Sequence, residues 1–353
     1  MKLKDTDPFS GMKEFQESFV NAEKFYLSGD YKPLDPYPSL SKVANCALPR
    51  GYFPVKVNKK VDRNNFAILF LSCGELPVGR SGQYTSIIID KNGYESTYPA
   101  YFVSYPDSDE WRVLIAKEDG LASFLEKIEP GSQLNVSRPM GDFGFNVFRD
   151  TSTATAFVCE ETLAPVLSIC DGIKKGKYNI DLTVNCFYDI DEYLLRMLSE
   201  TGIKTNLFDR TSDYYGVYKG NTIYAPRSYK HEDVYNLAKS LNDNPKYFRE
   251  TTCFLPSNVI NTEEKCKVIV HSFDNDYSLN ATIGEKLIDV LERSKVKIES
   301  RCRNGECGWC RVLVVKGKVT TEGAKPREAD TLFGYIHACR ATLTGDLEIR
   351  IDY

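Results

Sequence analysis

The stretch Ser300-Arg-Cys-Arg-Asn-Gly-Glu-Cys-Gly-Trp-Cys-Arg311 places three cysteines within nine residues. A fourth follows after 28 intervening residues, at the end of Phe333-Gly-Tyr-Ile-His-Ala-Cys339. The four are Cys302, Cys307, Cys310 and Cys339. The chain has 11 cysteines and no apolar leader at its N-terminus, so we expect reduced thiols and not disulfides. The crowding of these four indicates metal ligands, whereas the other seven are scattered singly and are predicted to be small buried hydrophobes.

The spacing C-x4-C-x2-C with a distant fourth cysteine matches the ligand pattern of plant-type [2Fe–2S] ferredoxins. A loop around such a cluster must turn its backbone amides toward the sulfurs, and Gly305 and Gly308 permit that turn. The alternative is a four-cysteine zinc site. Structural zinc usually shows two C-x2-C pairs, and only Cys307 and Cys310 form one here, so the sequence favours the [2Fe–2S] cluster.

Length and charge exclude several classes of function. The 353 residues suffice for two or three domains, and the 42% hydrophobic share supplies a core for each. The 45 basic and 49 acidic side chains give a net charge of −4 and are mixed along the chain, so we expect no nucleic acid partner. The apolar runs are too short for membrane insertion, and no secretory signal is visible, so a cytoplasmic location is predicted. A homo- or hetero-oligomer stays an open alternative.

Residues 265–353 have the pattern of a β-grasp domain built around the cysteine loop. Strands are predicted at Val268–Phe273, Arg311–Val315 and Leu347–Ile351, and a helix at Ile283–Lys295. A ferredoxin domain is therefore expected at the C-terminus. Its His337, two residues before Cys339, is a candidate for tuning the cluster from outside the ligand set.

Residues 48–150 have the pattern of a small antiparallel β-barrel, because short apolar strands alternate there with turn residues. The predicted strands are Tyr52–Val57, Phe66–Leu71, Tyr84–Ile89, Tyr98–Ser104, Trp111–Ala116 and Gln133–Ser137. One helix, Leu121–Ile128, is predicted among them. Residues 1–47 are predicted to be a helical extension and linker, since residues 10–27 carry apolar side chains at helical spacing.

Residues 151–260 alternate strands with helices, which predicts a doubly wound parallel sheet with a ligand crevice at the carboxyl ends of its strands. The predicted strands are Thr155–Cys159, Ile180–Phe187, Lys204–Phe208 and Thr251–Leu255. The predicted helices are Leu163–Asp171, Ile190–Glu200 and Glu232–Leu241.

The cysteine stretches, the barrel motifs Gly82-Gln-Tyr84 and Arg138-Pro-Met-Gly-Asp-Phe-Gly144, and the order of the three domains resemble one known family. It is the ferredoxin–NADP reductase superfamily, in its three-domain form with a C-terminal plant-type [2Fe–2S] domain, of the phthalate dioxygenase reductase type. The resemblance covers about residues 48–353. It implies an FAD-binding-like barrel, an NAD(P)-binding-like α/β domain and a [2Fe–2S] ferredoxin domain.

The flavin motif that the resemblance implies is incomplete in this chain. The family signature Arg-x-Tyr-Ser/Thr aligns with Pro99-Ala-Tyr-Phe102, which lacks the arginine that meets the diphosphate. Phe102 in place of the Ser/Thr is expected to remove a hydrogen bond and to add bulk where the flavin or nicotinamide would lie. A diphosphate could still meet the start of the following helix. The candidate flavin contacts are Tyr101, Lys117, Gly120 and Ser123. FAD thus stays an open cofactor.

The nicotinamide motif is also altered. Where the family has Gly-Gly-x-Gly-Ile-Thr-Pro, this chain has Cys159-Glu-Glu-Thr-Leu-Ala-Pro165, and its later Cys-Gly-Pro-Pro turn is Cys253-Phe-Leu-Pro256. Side chains therefore fill the approach to a pyrophosphate, and two carboxylates repel it. We expect Glu160 and Glu161 to be solvated or to cap a helix, and NAD(P) is not an expected cofactor.

The preferred function is that of a [2Fe–2S] electron-transfer protein on a reductase scaffold, relaying single low-potential electrons between a protein donor and a protein acceptor without its own NAD(P)H oxidation. One alternative is a flavin-dependent NAD(P)H oxidoreductase that feeds an oxygenase or another redox enzyme through the cluster. Another retains the flavin and lacks the nicotinamide site.

Overall fold

The computed structural model describes residues 51–90, 95–117, 121–141, 143–144, 152–216, 222–228, 230–242, 247–253, 263–273, 275–305, 307–321 and 328–351. All of them belong to one compact unit, Leu48–Tyr353. The helix expected in residues 10–27 lies outside the described residues. The elements below are numbered within the described part of the chain.

Six antiparallel strands close a barrel in the order β1-β2-β5-β4-β3-β6. They are β1 (Tyr52–Asp62), β2 (Phe66–Ser72), β3 (Tyr84–Asp90), β4 (Glu95–Phe102), β5 (Trp111–Ala116) and β6 (Gln133–Ser137), with helix α1 (Ala122–Glu126) between β5 and β6. Aromatic rings fill the interior, where Trp111 lies edge-on to Phe53 and Phe102 at centroid distances of 5.7 and 5.1 Å. Because side chains alternate along a strand, Tyr101 faces the opposite way from Phe102 and packs outside the barrel.

Five parallel strands form the second domain, in the order β11-β10-β7-β8-β9. They are β7 (Thr153–Val158), β8 (Asp181–Phe187), β9 (Lys204–Phe208), β10 (Thr222–Arg227) and β11 (Phe248–Thr252), accompanied by helices α2 (Leu163–Lys174), α3 (Glu192–Ser199) and α4 (Glu232–Ser240). Alternate residues of β7 enter two separate cores, with Ala156 and Val158 beside α2 and Phe157 beside α4. This arrangement confirms the doubly wound prediction.

Strand β10 is absent from the sequence prediction although it lies inside the sheet. Its sequence Thr222-Ile-Tyr-Ala-Pro-Arg227 contains Pro226, and proline argues against a central strand because it cannot donate a ladder hydrogen bond. Strand β10 is nevertheless held within the sheet, because it pairs in parallel with both β7 and β11.

The C-terminal sheet has the order β13-β12-β16-β14-β15. Its strands are β12 (Lys265–His271), β13 (Asp276–Thr282), β14 (Arg311–Thr321), β15 (Tyr335–His337) and β16 (Ala341–Arg350), and its helices are α5 (Leu287–Arg293) and α6 (Glu328–Leu332). Helix α5 buries Leu287, Ile288, Val290 and Leu291 against the sheet in a core that also holds Cys310 and Cys339. The expected ferredoxin fold is confirmed, with two strands, β13 and β15, that the sequence prediction lacks.

Most of the scattered cysteines pack as the sequence predicts. Cys159, Cys170, Cys186, Cys253 and Cys266 are buried, Cys73 is half-buried, and Cys46 lies outside the described residues. Burial raises the pKa of the Cys159 thiol to about 12 and that of Cys186 to about 12. These thiols are protonated at neutral pH and serve as small apolar side chains.

Candidate iron–sulfur centre

The cysteine loop runs from the end of an extended segment into β14 and is held in a tight turn. Gly305 has a φ of +84° and Gly308 a φ of +72°, values that suit glycine. A Cβ atom at Gly305 would lie 2.5 Å from Cγ of Arg340, so no larger residue fits there. The backbone between Cys302 and Cys310 is therefore shaped by glycine, as the sequence predicts.

The four predicted ligands lie together. Hydrogen bonds link the thiol of Cys302 to those of Cys307 and Cys339, and the thiol of Cys339 to that of Cys310. The amide nitrogen of Cys307 also donates to Sγ of Cys302 over 3.4 Å. Three of the four are buried, and Cys307 is half-buried. The loop and the turn between β15 and β16 thus bring together sulfurs that are up to 37 positions apart in the chain.

The environment favours a thiolate at Cys302. Burial opposes ionisation, but hydrogen bonds from the thiols of Cys307 and Cys339 and from the amides of Cys307 and Asn304 outweigh it and hold the pKa of Cys302 well below its usual value. A thiolate is the form that binds iron, and hydrogen bonds to the sulfurs are among the factors that set the potential of an iron–sulfur cluster. This donor set fits a cluster.

The contacts fall into pairs. Cys302 touches Cys307, and Cys310 touches Cys339, with Cys302 and Cys339 joining the two pairs. Within the described residues, no three His, Cys, Asp or Glu side chains are grouped to hold one metal ion. A [2Fe–2S] cluster shares its four cysteines between two irons, so paired thiols are compatible with it.

His337 contacts the backbone of the cysteine loop from a buried position. Its Nδ1 lies 2.6 Å from the carbonyl oxygen of Gly305 and its Nε2 lies 2.8 Å from Oδ2 of Asp330. The ring is 2% exposed. His337 therefore contacts the loop at the Gly305 carbonyl, from outside the set of candidate ligands. Its effect on the reduction potential of a cluster stays a prediction.

One side of the loop is anchored to the barrel. Nδ2 of Asn304 donates to the hydroxyl of Tyr101 on β4 over 3.1 Å, and both residues are buried. Ser300 and Arg301, which lead into the loop, accept hydrogen bonds through their carbonyl oxygens from the hydroxyls of Thr97 (2.6 Å) and Ser86 (2.7 Å). The ferredoxin domain and the barrel therefore share a hydrogen-bonded junction.

Arg303 is the centre of that junction. Its guanidinium lies 4.2 Å from the ring centroid of Tyr98 and donates to Ser96 and to the backbone oxygen of Thr97, all three on β4. It also pairs with Glu292 of α5, and the two side chains are only 11% and 6% exposed. Sequence reasoning missed Arg303 because nothing local identifies partners that lie about 200 positions away.

The predicted flavin contacts are dispersed or already engaged. Tyr101 accepts its hydrogen bond from Asn304, and Nζ of Lys117 pairs with Oδ1 of Asp62 at 2.5 Å, which lowers the pKa of that carboxyl. Ser123 is exposed in the five-residue helix α1. Gly120 lies outside the described residues.

The expectation that Phe102 adds bulk beside a flavin is wrong. Its ring points into the barrel interior against Trp111 and is fully buried. The strand alternation that turns Tyr101 outward turns Phe102 inward, so Phe102 adds no bulk on the outer face.

The residues in the position of the nicotinamide motif bridge two domains. Glu160 opens a short 3₁₀ turn, Glu160–Thr162, and its carboxylate accepts from Nδ2 of Asn65 (2.7 Å) and from the amide of Asp191 (2.8 Å). Asp191 in turn pairs with Arg63 of the barrel at 2.9 Å. Glu160 was expected to be solvated or to cap a helix. It also joins the barrel to the second domain through these hydrogen bonds.

The C-terminal domain is similar in sequence to known iron–sulfur proteins. Residues 270–344 match the family model of the 2Fe-2S iron-sulfur cluster binding domain. The chain is similar to the ferredoxin–NAD(P)+ reductase component of the naphthalene 1,2-dioxygenase/salicylate 5-hydroxylase systems of Ralstonia sp.. The two sequences are 39% identical over 74 residues, which are 21% of this chain and 23% of the relative. The chain is 31% identical over 71 residues to an uncharacterized ferredoxin-like protein of Buchnera aphidicola, covering 18% of this chain and 74% of that one.

The fold of the chain is similar to that of a solved reductase with a modular structure. Phthalate dioxygenase reductase superposes with a TM-score of 0.66 at 16% identity, over 85% of this chain and 98% of that one. At that identity the similarity establishes the fold, and it confirms the predicted combination of barrel, α/β domain and ferredoxin domain. Separately, none of the helices in the described ranges has the length and apolar character to cross a membrane.

Proposed function

Since residues 270–344 belong to the family of 2Fe-2S iron-sulfur cluster binding domains, we propose that this chain is a one-electron carrier with its cluster on Cys302, Cys307, Cys310 and Cys339. The observation that carries the proposal is the linked set of four thiols, with Cys302 favoured as a thiolate. A plant-type cluster bound there supplies one-electron chemistry at a low potential, about −400 mV. The partners we propose are a protein electron donor and a protein electron acceptor.

The chain does not oxidise NAD(P)H in this proposal. Glu160 and Glu161 stand at the carboxyl end of β7, where a dinucleotide pyrophosphate needs close backbone approach and no negative charge. Glu160 is tied to Asn65 and Asp191, and Glu161 lies 3.4 Å from Nζ of Lys230. These contacts hold both carboxylates in place, so the turn stays filled by side chains.

A flavin is likewise not needed by the relay. The hydroxyl of Tyr101 is committed to Asn304 of the cysteine loop, and the ammonium of Lys117 is committed to Asp62. Of the four candidate flavin contacts, two are thus engaged by other side chains, which supports a relay that depends on the cluster alone.

The second candidate is a flavin-dependent NAD(P)H oxidoreductase that feeds an oxygenase through the cluster. The fold similarity to phthalate dioxygenase reductase over 85% of the chain favours it. In that case FAD would bind only after Tyr101 and Lys117 exchange their contacts with Asn304 and Asp62 for contacts with the cofactor, or other residues would hold it.

The ligand assignment is tested by Cys307→Ser, with Cys73→Ser as the matched control on a half-buried cysteine outside the loop. Protein is prepared without oxygen, and iron and acid-labile sulfide are measured together with the visible spectrum. We expect Cys307→Ser to lose the cluster and Cys73→Ser to keep it. Full iron and sulfide in Cys307→Ser would contradict the assignment.

The two candidate functions are separated by two further measurements on the same anaerobic protein. Acid extraction is expected to release no flavin, and NADH or NADPH is expected to leave the visible spectrum unchanged, whereas dithionite bleaches it by reducing the cluster. Stoichiometric flavin together with rapid bleaching by NADH or NADPH would replace the relay by the oxidoreductase. Flavin without such bleaching would select a flavin-bearing carrier fed by a protein donor.

A further inference from the structure

Two side chains tie the segment that carries Cys339 to the cysteine loop. His337 and Arg340 flank Cys339 where β15 leads into β16. Nδ1 of His337 lies 2.6 Å from the carbonyl oxygen of Gly305, and Nη1 of Arg340 donates to the carbonyl oxygen of Asn304 over 3.2 Å. Two consecutive carbonyl groups of the loop are therefore bound by the segment that supplies the fourth candidate ligand.

The orientation of the His337 ring is fixed at both of its nitrogens. A carbonyl oxygen only accepts hydrogen bonds, so Nδ1 carries the proton of the bond to Gly305. Nε2 lies 2.8 Å from Oδ2 of Asp330, whose Oδ1 lies 4.0 Å from Nη1 of Arg311. The His337 and Asp330 side chains are buried, at 2% and 7% exposure, so water does not compete for these bonds. Asp330 thus holds the ring with its donor aimed at the loop.

Arg340 meets the loop by packing as well as by a hydrogen bond. A Cβ atom at Gly305 would lie 2.5 Å from Cγ of Arg340, so the arginine stem lies directly against the glycine. The side chain is 4% exposed, and burial of a guanidinium is costly unless its donors are used. The bond to the Asn304 carbonyl is a contact that an aliphatic side chain of the same length would not make.

The amides of the loop face the cysteine sulfurs. The amides of Asn304 and Cys307 donate to Sγ of Cys302, the second over 3.4 Å. In a trans peptide the C=O and N–H groups point in opposite directions, so the bond from Arg340 to the Asn304 carbonyl turns the N–H of Gly305 away from Arg340. A side chain that fixes a carbonyl of the loop therefore also fixes the direction of an amide.

We propose that His337 and Arg340, with Asp330 behind His337, are positioning residues for the cluster; the three are called the loop clamp below. They hold the carbonyls of Gly305 and Asn304 and so keep the amides of the loop directed at the cysteine sulfurs. This role rests on the proposed function and adds to it the side chains that set the reduction potential. The sulfurs gain negative charge when the cluster takes up one electron, and amide donors stabilise that charge, so the clamp raises the potential.

The first test is a redox titration of anaerobic protein with mediator dyes. Arg340→Met removes the guanidinium and keeps an unbranched stem against Gly305. The matched control is Arg293→Met, because Arg293 pairs with Glu285 and donates to the carbonyl of Asn280 in the same domain, without contact to the loop. At the wild-type midpoint we expect the ratio of reduced to oxidised cluster to fall about tenfold in Arg340→Met, a shift of about 59 mV for one electron, and to stay unchanged in the control.

The second test separates the direction of the amides from the charge of the arginine, whose loss alone would lower the potential. Pulsed EPR of the reduced, nitrogen-15-labelled protein measures the coupling between the cluster spin and the amide nitrogens bonded to its sulfurs. We expect weaker amide couplings in Arg340→Met and His337→Leu, and wild-type couplings in Arg293→Met. His337→Asn keeps a side-chain N–H close to the position of Nδ1, so it is expected to restore the couplings and the potential.

Wild-type amide couplings in both Arg340→Met and His337→Leu, at full iron and sulfide, would overturn the loop clamp. Where either variant loses its iron, Arg340→Lys and His337→Asn decide, since each keeps a donor for the loop carbonyl. Full iron and sulfide in these two variants supports the clamp, and loss of the cluster from both would overturn it. Absence of iron and sulfide from the wild-type protein would instead contradict the proposed function itself.

Discussion

Asn304 of the cysteine loop and Tyr101 of the barrel are joined by a 3.1 Å hydrogen bond in a buried position, although they lie 203 positions apart in the chain. The tyrosine that a flavin motif would use thus serves to seat the ferredoxin domain on the barrel. The same contact brings the barrel to the buried side of Cys302.

Replacing Tyr101 with Phe removes this hydrogen bond and leaves the ring in place. The buried amide of Asn304 then loses an acceptor, which costs about 1–3 kcal/mol of unfolding free energy. Denaturant unfolding followed by tryptophan fluorescence measures it. An unchanged midpoint would show that the bond contributes nothing to the domain junction.

Arg303→Ala breaks a buried ion pair and leaves the carboxylate of Glu292 without its cation. We expect a loss of about 3–5 kcal/mol, since an uncompensated buried charge is costly. The matched control is Arg112→Ala, whose pair with Glu110 is 47% and 34% exposed and should change stability by only about 0–1 kcal/mol. Equal losses in both variants would contradict the central place of Arg303.

His271 gives the ferredoxin domain a stability that depends on pH. Its ring nitrogens each lie 2.9 Å from a carboxylate oxygen, one of Asp276 and one of Glu348. Hydrogen bonds to Glu348 and then Asp276 raise the pKa of His271 above its ordinary value. The stabilisation is therefore complete below the unfolded pKa, about 6.5, and is lost as the pH rises through the folded pKa.

The check is the melting temperature of wild type minus that of His271→Gln, compared at about pH 5.5 and about pH 8.5. We expect a larger difference at the lower pH. A difference that is independent of pH would mean that the charged imidazole is not what binds the two strands that carry the carboxylates.

Buried thiols outside the loop should be inert in the folded protein. The pKa of Cys159 is raised to about 12 by burial, and it is 1% exposed. Alkylation with iodoacetamide near neutral pH, read by peptide mass spectrometry, should label Cys159 only after denaturation, whereas half-buried Cys73 is labelled first. Labelling of native Cys159 as fast as that of Cys73 would contradict this packing.

Local patterns were sufficient for the domain order, most elements and the grouping of the four cysteines. Ligands within one short loop have a spacing that shows directly in the sequence, and alternation and helical periodicity are equally short-range signals. The same reasoning missed β10, because a proline within a run argues against a central strand, and it missed β15, which is three residues long.

The partners of the loop depend on the tertiary structure. Nothing in the sequence distinguishes Arg303 from the other basic residues. It is buried against Tyr98 and Glu292 because the ferredoxin domain packs on the barrel. The same holds for the inward turn of Phe102. Short-range spacing identifies the candidate ligands of a cluster, whereas contacts between residues about 200 positions apart decide which side of the cysteine loop is buried against the barrel.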